Sequence, residues 1–121
     1  MAPRLVVFLL LASTPAWASS WTGVLVDSKC YAGEQRNVNP TDTSLADRDM
    51  DLELRYCSPT PKTKTFAVVL QDWSSLQFDS AGDAMSGALF RKAGQKPYFS
   101  VVVTGERTRA TLAVKSIAAA R

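Results

Sequence analysis

The sequence predicts a mainly β domain, a small five-stranded barrel with a short helix between strands three and four and a candidate helix before Cys57. Three observations carry this. Phe99, Val101 and Val103 alternate with Tyr98, Ser100, Val102 and Thr104, and Leu112 and Val114 resume the alternation beyond a polar turn at 105–109, so 98–117 reads as a hairpin. Two shorter runs, 65–71 and 76–79, alternate in the same way around a polar turn at 72–75. A helical pattern separates them from the last hairpin. The resulting order, strand, loop with helix, strand, strand, helix, strand, strand, is that of the OB-fold barrel.

The first stretch stands apart from this domain. Arg4 supplies a positive start, 5–12 is an apolar run, Pro15 breaks it, and Ala16-Trp17-Ala18 satisfies the A-x-A rule. This predicts a signal peptide over 1–18, cleaved after Ala18. The run falls far short of the roughly 20 residues a spanning helix needs. The expected product is a single OB-like β-barrel domain over 19–121, secreted or periplasmic, with no membrane insertion after cleavage.

Residues 21–27 form the first strand, and Gly23 within it marks a bulge or tight bend of the kind small barrels use at corners. A polar loop is expected over 31–43, with Gly33, Asn37, Asn39 and Pro40. Residues 44–57 read two ways. As a helix, Ser44 is an N-cap, Ala46, Met50, Leu54 and Cys57 share a stripe, and Asp51 precedes Arg55 at i,i+4. As a strand, Met50, Leu52, Leu54 and Tyr56 alternate with Asp49, Asp51, Glu53 and Arg55. The cap and the charge order favour the helix; the alternation keeps the strand open. Pro59 and Pro61 end either element. After the 65–79 hairpin, Asp83 is expected to cap a short helix from Ala84 to Lys92 or Ala93, with Met85, Ala88 and Leu89 inward and Gly94 as its C′ residue. The tail, 118–121, is expected to fray.

Composition excludes several function classes. The formal charge of +3 becomes +2 once Arg4 leaves with the signal, too small a balance to argue for nucleic acid. Histidine is absent, which removes Ser-His-Asp and Cys-His catalysis and the commonest zinc ligand. The two cysteines, Cys30 and Cys57, lack CxxC spacing, and in an exported chain an even count reads as a disulfide. Asp47, Asp49 and Asp51 imitate the start of a calcium loop, but Leu52 stands where the turn glycine belongs and Ser58 where the bidentate glutamate belongs. No phosphate-cradling glycine motif is present. No metal or cofactor is therefore expected.

The stretch Trp21-Thr22-Gly23-Val24-Leu25-Val26-Asp27-Ser28-Lys29-Cys30 resembles the opening of a family of short secreted bacterial proteins of unknown function, with a W-x-G-x-(I/V)-x-D-x-x-C start. The close, Val101-Val102-Val103-Thr104-Gly105-Glu106 and then a strand ending Ser116-Ile117, resembles theirs as well. The resemblance implies an OB-like fold and an extracytoplasmic compartment, and no activity. Members often carry a third cysteine or a histidine near the second cysteine; this chain has neither, so no metal set carries over.

OB barrels often receive ligands on the face of strands two and three, between the first and last loops. Here that face would hold Tyr31, Trp73, Arg107 and Arg109, the candidate ligand surface, with Trp73 its aromatic anchor. The competing reading folds the Trp73 ring back over the barrel mouth. Asp27, Asp72 and Asp79 at strand ends could form a glycoside-cleaving pair but read better as solvated turn residues. Ser28 and Lys29, adjacent on an extended chain, point apart and make no dyad. The expected function is a non-enzymatic binding module for a small molecule, glycan or envelope protein. The alternative is a structural or stress-related envelope protein without a specific ligand.

Overall fold

The structure, a computed structural model, describes residues 18–37 and 52–120. The signal segment up to residue 17, and Asp47, Asp49 and Asp51, lie outside the described residues. Five strands, β1 (Ser19–Asp27), β2 (Phe66–Val69), β3 (Ser75–Phe78), β4 (Phe99–Thr108) and β5 (Thr111–Ala119), close into a barrel in the order β1-β2-β3-β5-β4. This is the predicted OB-like architecture. Among the described residues the one parallel seam joins β3 to β5, at Gln77↔Thr111 and Phe78↔Leu112, and it completes the ring.

The period-two pattern translates directly into two layers. Leu25, Phe66, Val68, Leu76, Phe78, Phe99, Val101, Val103, Leu112 and Val114 point inward and are buried together. β1 serves two partners. Its first part runs against β4, from Ser19↔Gly105 to Leu25↔Phe99, and its last part against β2, from Val24↔Val69 to Asp27↔Phe66. Gly23 pairs with Val101 just before the β2 ladder begins at Val24, and the two ladders overlap at Val24 and Leu25.

Helix α2 (Ser80–Ala93) follows β3 and packs Phe90, Met85 and Leu89 onto the core. It begins earlier than predicted, because Asp79 rather than Asp83 is the N-cap. Asp79 Oδ1 accepts the Gly82 N–H at 2.9 Å and the Val114 N–H at 3.2 Å, tying the helix start to β5. Gly82 lies in the first turn of the helix, where its backbone passes so close to Phe78 and Val114 that a larger residue would not fit. Asp83 instead accepts the Phe66 N–H at 2.9 Å, and burial holds its carboxyl above the usual range. Gly94 ends the helix as predicted, at φ 85°, with its N–H on the Phe90 carbonyl. Within α2, the Ser86 hydroxyl is fully buried without a hydrogen-bond partner among the described residues.

Three further expectations change. The 31–43 loop is helical in its first part: α1 (Ser28–Asn37) starts on Asp27, whose Oδ1 accepts the Cys30 N–H at 3.1 Å. That cap outweighs the helix-weakening Gly33. The turn at 105–109 is shorter, since β4 runs to Thr108: Gly105 pairs with Val114, and the register shift beside it leaves Lys115 of β5 as the extra residue. The tail does not fray up to residue 120: Ala118 and Ala119 pair with Val102 and Val101, and the Ala120 N–H reaches the Ser100 carbonyl. For the ambiguous segment, residues 52–56 are helical, with Leu54 and Cys57 buried one turn apart and Leu52 and Tyr56 exposed.

Candidate functional site

The excursion between β1 and β2 returns over the outside of the barrel. The outward side chains of β1 and β2, Val26, Ala67 and Val69, would otherwise face water. They form a second apolar cluster with Tyr31, Leu54 and Cys57, edged by Val24, Cys30, Trp73 and Tyr98. The Cys30–Cys57 disulfide, with Cα atoms 5.4 Å apart, ties the two helical pieces together. Such a bond belongs to an oxidising, extracytoplasmic environment. Polar bonds complete the attachment. The Asp27 N–H donates to the Cys57 carbonyl at 2.8 Å, the Thr63 hydroxyl to Asp27 Oδ2 at 2.9 Å, and the Ser28 hydroxyl to Thr65 Oγ1 at 2.7 Å. Part of the outer sheet face, where OB barrels usually receive ligands, is thus covered by the chain's own excursion.

Trp73 stands at the edge of that cover, in the turn between β2 and β3. The Trp73 N–H donates to the Leu70 carbonyl at 3.0 Å, and the Leu70 N–H to the Ser74 carbonyl at 2.8 Å. Asp72 Oδ1 takes both the amide and the hydroxyl of Ser74. This geometry places Trp73 at φ 72°, a left-handed conformation that costs a non-glycine residue roughly 1 kcal/mol or more. The Tyr31 hydroxyl donates to the Trp73 carbonyl at 3.3 Å and props the turn from below. The indole neither projects freely nor plugs the barrel mouth. It is half-buried against the outer cluster and forms one wall of an open groove of about 450 Å³ with Thr22, Val24, Val69, Gln71 and Ser100.

The four predicted surface residues take different roles, and of them only Trp73 lines the groove. Tyr31 is 2% exposed, so it lies beneath the surface and supports Trp73 instead of offering its ring to a ligand. Arg107, near the end of β4, and Arg109, in the turn that follows, are joined by the Arg107 Nε donating to the Arg109 carbonyl at 2.7 Å. The hydroxyl and amide of Ser74 hold the Asp72 carboxyl below the usual carboxylate range, and the Arg107 charge adds a smaller pull the same way. The Gln77 N–H donates to the Ala110 carbonyl at 2.8 Å, so the hairpin tip lies beside β3, the strand that the Trp73 turn leads into.

No protein-family model, curated protein or solved structure matches the chain.

The strand-end carboxylates have local work. Asp27 caps α1 and holds Thr63, Asp79 caps α2, and Asp72 organises the Trp73 turn. Ser28 is buried, bonded to Thr65. Among the described residues no three histidine, cysteine, aspartate or glutamate side chains gather as a metal set.

The buried prop has a measurable signature. Burial, and to a smaller extent the nearby Glu53 charge, push the Tyr31 phenol up to about 12 from its ordinary 10.0. The folded chain thus keeps a proton that the unfolded chain loses. The stabilisation is complete below pH 10 and disappears as pH rises toward 12, a loss of about 2–3 kcal/mol. Alkaline absorbance titration is expected to contain a late phenol step that is missing from Tyr31→Phe.

Proposed function

We propose that the chain is an exported, non-enzymatic binding module of the OB type, with its ligand in the groove beside Trp73. The carrying observation is the built position of Trp73. A tryptophan held in a left-handed turn, propped by a buried tyrosine and set at the edge of a covered sheet face, is costly as mere filler. Strain of this kind concentrates at binding sites. The groove's chemistry favours a small polar ring such as a sugar unit of an envelope glycan. The indole offers a flat apolar wall, and Thr22, Ser100 and Gln71 offer neutral hydrogen-bonding groups. Export is supported by the disulfide and by the start of β1 at Ser19, the residue that cleavage after Ala18 would expose.

Tryptophan fluorescence of the exported protein, titrated with soluble envelope-glycan fragments, tests the reading. A saturable shift is expected in the wild type and not in Trp73→Ala, with the glycan recovered unchanged. Absence of a shift across the panel, or a Trp73→Ala variant that binds as well as the parent, overturns it.

A further inference from the structure

A second groove, independent of Trp73, opens where α2 meets the segment leading into β2. Its volume is about 450 Å³, within the range of small-molecule sites, and its lining includes Thr60, Pro61, Phe66, Phe90, Arg91 and Gln95. Phe66 and Phe90 belong to the barrel core, so the floor is aromatic and rigid. Arg91 and Gln95 are exposed at the rim.

Charge distinguishes this groove from the first. From residue 58 to the end the sequence carries nine Lys and Arg against four Asp and Glu, an imbalance that the small net charge conceals. Two of those four, Asp79 and Asp83, accept backbone N–H bonds within the fold. The two segments that form the groove, 58–66 and 87–96, hold Lys62, Lys64, Arg91, Lys92 and Lys96 and no carboxylate at all. All five cations are exposed. Lys96 lies over the Phe99 ring, and Arg91 makes no ion pair among the described residues.

We infer that this groove is a binding site for a small carboxylate with an apolar ring, its ring on Phe66 and Phe90 and its carboxylate on the Arg91 guanidinium. Arginine presents a planar fork that matches a carboxylate bidentately, and the surrounding lysines raise the local positive potential. Gln95 supplies a neutral amide at the same rim. A purely apolar ligand would leave the cations without a partner, and a bare anion would leave the aromatic floor wet. The class that satisfies both is an aryl carboxylate.

Calorimetric titration of the oxidised, exported protein tests this with three probes: phenylacetate, its neutral amide, and acetate. Phenylacetate is expected to bind saturably, and the amide and acetate at least about tenfold more weakly, since each lacks one half of the recognition. Arg91→Gln is expected to weaken phenylacetate by about tenfold or more, because a charged hydrogen-bonding pair is lost at an exposed residue whose removal leaves the core intact. Trp73→Ala should leave phenylacetate binding unchanged, which separates this site from the groove beside Trp73. No saturation by phenylacetate up to about 10 mM, weaker than any useful millimolar affinity, overturns the inference. So does an Arg91→Gln variant that binds as the parent does, or a Trp73→Ala variant that loses the binding.

Discussion

Replacing Cys30 and Cys57 together by alanine is expected to lower the unfolding free energy by about 3.5 kcal/mol. The bond joins residues separated by 27 positions, and opening that loop returns to the unfolded chain the freedom the bridge removed. For a domain whose whole stability is of order 5–15 kcal/mol, this is a large fraction. The location adds a second effect. The bridge holds the excursion against Val26, Ala67 and Val69, so its loss is expected to loosen the outer cluster before the barrel itself. Amide exchange should show this as faster opening in 28–33 and 52–57 than in β4 and β5 of the same variant. Denaturant unfolding checks the magnitude. A loss below about 1 kcal/mol, with exchange rates unchanged in those segments, would mean that the hydrogen bonds from Asp27 and Ser28 hold the excursion unaided.

The barrel was legible in the sequence because its signal is local. Period two over 98–104, resumed at Leu112 and Val114 beyond a polar turn and rich in β-branched residues, matches strands with one buried face, and Gly94 stands where the C′ residue of the preceding helix belongs. The alternation at Leu52, Leu54 and Tyr56, short and charged, sits instead on a helix. The misread elements share a different cause. Helix α1 depends on Asp27 as a cap, and α2 starts at Asp79 because one carboxylate oxygen serves both Gly82 and Val114, far apart in the chain. The order of the tail depends on its β4 partners. Contacts of that range leave no mark on a window of neighbours. The candidate surface divides in the same way. Trp73 announced itself as an aromatic in a turn, and OB topology placed it near Arg107. Nothing local shows that Tyr31, 42 positions earlier, lies under it. The basic groove escaped notice because its cations come from two segments about 30 residues apart, and summing charge over the whole chain cancels them against the acidic excursion.

The corner of the barrel offers the sharpest single-residue test. Gly23→Ala is expected to cost about 3 kcal/mol or more. β1 gains its β2 partner immediately after Gly23 while still paired with β4. There the chains approach so closely that a methyl group would collide with the Val69 carbonyl oxygen and lie 2.7 Å from Val68 Cγ2. Neither atom is the far end of a flexible side chain. The oxygen belongs to β2 backbone, and Val68 is fully buried and β-branched, with little rotamer freedom. Relief therefore requires the two strands to separate, which breaks the ladder at the point where the ring is bent. For a domain of about 100 residues this corresponds to a fall in Tm of about 12–24 °C. Gly87→Ala is the matched control. Its added methyl would meet only Arg91 Nη1, at 3.3 Å, and alanine favours the helix interior by about 0.5–1 kcal/mol, so this variant is expected to melt no lower than the parent. If Gly23→Ala melts within a few degrees of the parent while remaining a closed barrel by amide exchange, the corner has room to open. Glycine at that position would then reflect local bend preference alone. If both alanine variants fall together, the cost lies in some general intolerance of added methyl groups and not in strand closure.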